Sequence, residues 1–178
     1  MIPSEKIKAI IKYFCGNTNP RFLGKTKLMK LFYFLDFLHI KRYGVSVTGD
    51  KYYHLGYGPI PTLIKNLVDD VDNTPDCAIL SDTIEIVKSE NRKIYLVKCI
   101  NEFLEKDKDY FSVIELKTME DVCRRFKDYT TKQIVEASHK ESSWRKTGET
   151  KEIPYILAAD DSDCLVERED IELLNKII

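Results

Sequence analysis

The chain is poor in the residues that build staples, metal centres and membrane spans. Its five cysteines, Cys15, Cys77, Cys99, Cys123 and Cys164, are scattered and include no CxxC pair. An odd, dispersed set of this kind reads as reduced thiols that mostly fill the core. There are three histidines, His39, His54 and His139, and none has a second ligand at HExxH or HxH spacing, so no metal and no cofactor is expected. GxSxG, Walker and GxGxxG motifs are all missing, which removes the local signatures of acyl-transfer, P-loop and dinucleotide chemistry. No apolar run is long enough to cross a bilayer, and the opening MIPSEKIKAII lacks a secretory h-region and cleavage site. A cytoplasmic protein with no membrane partner is the expectation.

What is present is an ordinary globular balance: 178 residues, 43% hydrophobic and 32% charged, enough for one domain over 1–178 with a core that needs no staple. The net charge of −1 hides an asymmetry, because residues 1–58 hold 10 Lys and Arg against 3 Asp and Glu, and the remainder 18 against 26. A basic front of Lys25, Lys27, Lys30, Lys41 and Arg42 would suit a nucleic-acid-associated regulator of a phage or mobile element. The lysines form no dense cluster, however, and the two halves folding onto each other is the favoured reading, with nucleic acid an unlikely partner.

The stretch Gly24–Tyr43, GKTKLMKLFYFLDFLHIKRY, organises the rest. On a 3.6-residue period its apolar side chains cover nearly the whole circumference, which places a helix inside a fold rather than on its surface. Gly24 and Thr26 are start signals, and Gly44 stands where a helix end favours a left-handed residue. Ile7, Ile10, Ile11 and Phe14 predict an amphipathic helix over 4–15. Residues 44–61 carry four of the seven glycines, so a shaped loop is expected there, with a short strand over 51–54. A helix follows from Pro61-Thr62 to about Asp70. Alternation at Ile84 and Ile86, then at Ile94, Leu96 and Lys98, with SENR between, predicts a β-hairpin. Ser112-x-x-Glu115 and Thr130-x-x-Gln133 are capping-box signatures for two more helices, and 169–178 closes as a short one. The expected fold is α+β and predominantly α-helical: a central apolar helix wrapped by shorter helices, with a small β-hairpin or sheet.

Two polar placements invite a chemical reading. Asp36 and His39 are three apart and share a helix face; with His139 they would form the site of a small hydrolase, but a pair of satisfied buried groups anchoring loops is favoured. Trp144, in a polar stretch after His139, is either an exposed anchor for a partner or a lid on the core.

Lys27, Leu28, Lys30, Leu31 and Tyr33 in the central helix, Gly58-Pro59 after the glycine-rich loop, and the later His139-to-Trp144 segment together resemble the Panacea domain, the phage-associated DUF4065 or SocA-like antitoxin family. The resemblance covers about residues 24–148. Ser143 departs from it, standing where the family often has proline before the tryptophan. The resemblance implies a non-enzymatic bacterial antitoxin that binds a cognate toxin directly, with delivery of the toxin to a protease as a further route. It leaves the toxin and the oligomeric state open. On this reading the motif residues are fold-forming, and aromatic groups of the loop, Tyr52, Tyr53, His54 and Tyr57, together with Trp144, are expected to contact the toxin, since rigid aromatics dominate such interfaces.

Overall fold

The computed structural model describes residues 2–88 and 95–177; the expected SENR turn, Ile94 and Ile178 lie outside them. The elements run α1 (Ser4–Asn17), α2 (Lys25–Tyr43), β1 (Tyr52–Leu55), β2 (Gly58–Pro61), α3 (Thr62–Asn73), β3 (Ile84–Lys88), β4 (Tyr95–Cys99), α4 (Val113–Phe126), α5 (Thr131–Ser138), α6 (Ser142–Arg145) and α7 (Arg168–Ile177), with 3-10 turns at Pro75–Cys77, Glu105–Tyr110 and Tyr155–Asp160. The architecture is the predominantly α-helical α+β fold that the periodicities predict.

Helix α2 lies at the centre because it has no solvent-compatible face. Of its 19 residues, 14 are buried, among them Lys27, Lys30, Asp36 and His39. It is enclosed by α1, α3, α4, α5, both hairpins and the Tyr155–Asp160 turn. The packing includes an edge-on Phe14–Phe32 pair from α1 and a stacked Phe34–Phe126 pair from α4, with ring centroids 5.4 and 4.2 Å apart. Gly44 ends the helix at φ +80°, its N–H donating to the Ile40 carbonyl; this is the left-handed C-terminal residue that glycine supplies without strain. Both capping boxes form as the sequence implies, Ser112 with Glu115 at the start of α4 and Thr130 with Gln133 at the start of α5.

The loop after α2 makes more β structure than its sequence suggests. β1 and β2 pair antiparallel from Tyr52↔Pro61 to Leu55↔Gly58, leaving Gly56 and Tyr57 as the turn. Distant residues flank β1 on its other edge: Ile153 N–H donates to Tyr52 O, His54 N–H to Lys151 O, and Thr150 N–H to His54 O. Asp50, also buried, gives its carboxylate to the N–H groups of Leu63 and Ile64, both at 2.9 Å, and so satisfies the free donors at the start of α3. In the second hairpin, Ile84 faces Cys99 and Ile86 faces Val97. The inward positions of β4 are therefore Val97 and Cys99, not Leu96.

The charge asymmetry is spent within the fold. Lys6 pairs with Glu115, Lys8 with Asp82, Lys12 with Asp107, Lys25 with Asp69 and Asp72, and Arg42 with Asp121. Lys41 sits among Glu141, Asp161 and Asp163 at 2.5, 3.0 and 2.9 Å. Glu141, Asp161 and Asp163 thus clamp the C-terminal end of α2.

Candidate functional site

Lys30 projects from α2 without an ion-pair partner among the described residues, and its ammonium donates to the Pro59 carbonyl at 2.6 Å. Complete burial removes it from water and pushes its pKa down to about 7, since desolvation disfavours the charged form. Gly58, next to it, has φ +88° and no room for a side chain. A Cβ there would lie 2.8 Å from Ser138 Oγ, 3.0 Å from Lys30 Cε and 3.2 Å from His139 Nε2. Glycine is required both by backbone conformation and by close approach.

Around this contact the other motif residues converge. The His139 ring stacks on Trp144, centroids 3.9 Å apart and planes 11° from parallel, and the His54 ring packs tilted against the same indole at 4.2 Å. His54 Nδ1 lies 2.6 Å from the Thr147 carbonyl, so that nitrogen carries the hydrogen. Burial, followed by the nearby Lys30 ammonium, lowers the pKa of His139. The Trp144 Nε1 and His139 Nε2 atoms are buried without a hydrogen-bond partner among the described residues. Tyr33 donates to or accepts from Ser143 Oγ at 2.5 Å, both residues being fully buried. The serine that departs from the family pattern therefore supplies the polar partner this buried tyrosine needs. Lys27 works at the other end of the motif, its ammonium held by the carbonyls of Lys127 and Tyr129 at 3.0 and 2.7 Å; these close the C-terminal end of α4, where a cation is favoured. Leu28 and Leu31 are core.

The residues expected on a contact surface divide. Tyr57, at the tip of the first hairpin, is 77% exposed, and Tyr53 is half-buried. Tyr52 is inside, against the expectation. Its hydroxyl donates to Asp36 at 2.8 Å, and its ring packs edge-on against Tyr33 and Phe37. It points inward because strand alternation sends Tyr52 and His54 to one face and Tyr53 to the other. His54 is buried, and Trp144 is half-covered by two imidazoles, so Trp144 takes the role of a lid.

The hydrolase constellation does not assemble. Asp36 is fully buried and accepts from the Val47 and Thr48 N–H groups, each at 2.8 Å, from the Thr48 hydroxyl and from Tyr52. Desolvation outweighs these bonds and raises its pKa to about 6. His39 turns instead to Thr118 on α4 at 2.9 Å, where burial holds its pKa down at about 4. His139 belongs to the tryptophan stack. Each group engages a different part of the chain and anchors it. The basic front fares similarly: Lys27 and Lys30 are buried on carbonyls, and Lys25, Lys41 and Arg42 are ion-paired.

Residues 28–145 match the family described as antitoxin SocA-like, Panacea domain. The chain belongs to the SocA-like Panacea family. The matched span opens in α2 and ends in α6, so it holds all four residues of the Lys30–Gly58–His139–Trp144 knot. No curated protein and no solved structure shows significant similarity to the chain. Family membership gives an antitoxin-type role, and no helix among the described residues is long and apolar enough to cross a membrane.

Two features of the site escape a sequence reading: the Lys30–Pro59 contact and the Tyr33–Ser143 pair. One signal was available for the first. A lysine inside an all-apolar helix must find an acceptor, and the Gly58-Pro59 segment of the same motif offers backbone carbonyls.

Proposed function

We propose that this Panacea-family protein is a non-enzymatic antitoxin that neutralises a cognate toxin by binding it through the tip of the β1–β2 hairpin. Membership of an antitoxin family is the observation that carries this reading. The choice of surface rests on where the aromatic groups point. The knot spends Lys30, Tyr33, His54, His139 and Trp144 on holding α2, the hairpin and α5–α6 together, while Tyr57 and the partly exposed Leu55 project from the same hairpin into solvent. A short turn braced by a rigid knot offers an apolar anchor at little ordering cost, which is how strong interface contacts are made.

The test is co-expression with the protein encoded beside it, scored by rescue of growth, followed by binding measurements on purified chains. Truncating Tyr57 to alanine should cost about 2 kcal/mol, roughly a thirtyfold rise in Kd. Tyr53→Ala and Leu55→Ala should add to the loss. If the triple variant folds and neutralises as well as the wild type, the hairpin tip is not the contact surface. Degradation of the toxin by a host protease only when the antitoxin is present would add the adaptor role.

A further inference from the structure

Between α1 and β4 lies an open cavity of about 700 Å³, lined among others by Lys12, Cys15, Leu23, Cys99 and Phe103. Cys99 occupies an inward position of β4, paired across the hairpin with Ile84. Its sulfur reaches to 4.0 Å from the Ile11 carbonyl, one helical turn before Cys15 on the same strip of α1. Both thiols line this cavity and are half-buried at its wall. The remaining cysteines have other surroundings. Cys77 is exposed, Cys123 is buried in α4, and Cys164 donates to the carbonyls of Val166 and Lys41.

We propose that Cys15 and Cys99 form a redox-sensitive pair, which a hydroperoxide entering this cavity converts into a disulfide tying α1 to β4. Two half-buried thiols on the wall of one open cavity are within reach of a small oxidant that enters it. Hydrogen bonding from Cys15 favours the Cys99 thiolate, and the Lys12 ammonium adds to it; the same contact, and burial, push Cys15 up. The thiolate is the reactive form, so Cys99 attacks first. Its sulfur bonds to one peroxide oxygen, the O–O bond breaks, and the departing hydroxide takes a proton to become water. The Cys15 sulfur then attacks the Cys99 sulfenic sulfur, and the S–O bond breaks. That oxygen leaves as a second water with the Cys15 proton, and the S–S bond remains. Two thiols are oxidised by two electrons and one hydroperoxide is reduced. The bridge closes a long loop, containing α2 and the first hairpin, onto the body of the fold.

The experiment uses the full chain, treated with hydrogen peroxide, alkylated with N-ethylmaleimide and analysed by intact mass and peptide mapping. The expected result is a loss of two hydrogens, three alkylatable thiols in place of the five in the sequence, and a linked peptide joining Cys15 to Cys99, all reversed by dithiothreitol. Cys15→Ser and Cys99→Ser should each abolish the bridge, and Cys77→Ser should keep it. Bridging should be faster in the folded chain than in urea. Five alkylatable thiols after treatment, a bridge between any other pair, or a Cys15–Cys99 bridge that forms only in urea would each overturn the proposal. If a serine variant fails to fold, the wild-type peptide map decides.

Discussion

Replacing Gly58 by alanine tests whether the motif builds the fold. The backbone there has φ +88°, and a non-glycine residue in the left-handed region costs about 1–2 kcal/mol. The added methyl would also press on Ser138 Oγ at 2.8 Å, Lys30 Cε at 3.0 Å and His139 Nε2 at 3.2 Å. Serine can rotate away, but Lys30 is fixed by its bond to Pro59 and His139 by its stack on Trp144. Overpacking of this sort costs about 1–3 kcal/mol. Gly58→Ala should therefore lose about 2–5 kcal/mol, a large part of the roughly 5–15 kcal/mol that stabilises a domain. Urea unfolding followed by fluorescence of Trp144, the only tryptophan, should show the midpoint falling by about 1–2.5 M, given a urea slope of roughly 2 kcal/mol per molar. Gly56, two residues away, is the control: nothing lies within 4 Å of its Cβ position, so Gly56→Ala should change stability by less than about 0.5 kcal/mol. A Gly58→Ala midpoint within error of the wild type would refute the reasoning.

Lys30 gives a pH signature. Its folded pKa is about 7 against an ordinary 10.5, so between these values the unfolded chain binds the extra proton and stability rises with pH. From pH 7 to about pH 9.5 this group alone should add about 3 kcal/mol, and Lys30→Met should flatten the rise in urea titrations at stepped pH. Asp36 and His39 oppose each other on the acid side. Asp36, raised to about 6, loses stability as pH climbs from 3.8 through 6, whereas His39, lowered to about 4, gains it between 4 and 6.5. In His39→Gln the gain disappears, so stability relative to the wild type should fall across that window. Asp36→Ala strands four donors, including the buried Val47 N–H, Thr48 N–H and Tyr52 hydroxyl, and should cost at least about 3 kcal/mol; differential scanning calorimetry would show it.

The fold was legible where local chemistry decides it. A helix apolar on every side has to be central, and Ser112–Glu115 and Thr130–Gln133 cap their helices through bonds that involve only near neighbours. Lys51–His54 read as a short strand within a glycine-rich loop, with no second strand expected beside it. Yet β2 forms, since β1 supplies the pairing and the Pro59 carbonyl serves Lys30. The third segment, 150–153, joins from about a hundred residues away, and no local pattern announces such pairing. The site was half legible for the same reason. His139 and Trp144 were recognisable as a pair, but that they bury each other depends on His54 and Gly58 arriving from the hairpin. Tyr52 and Tyr57 look alike in sequence; Asp36, sixteen residues before Tyr52, draws its hydroxyl inward, while Tyr57 at the turn has no such acceptor.

Hydrogen exchange read by mass spectrometry, on the free chain and on its complex with a toxin that co-expression shows it to neutralise, bears most directly on the claim that the motif residues hold the fold while the hairpin tip meets the partner. The account predicts that amides of α2 exchange only through global unfolding in the free chain and gain nothing on binding, whereas residues 53–58 gain protection. Rapid exchange in α2, or a complex that leaves 53–58 unchanged, would contradict it.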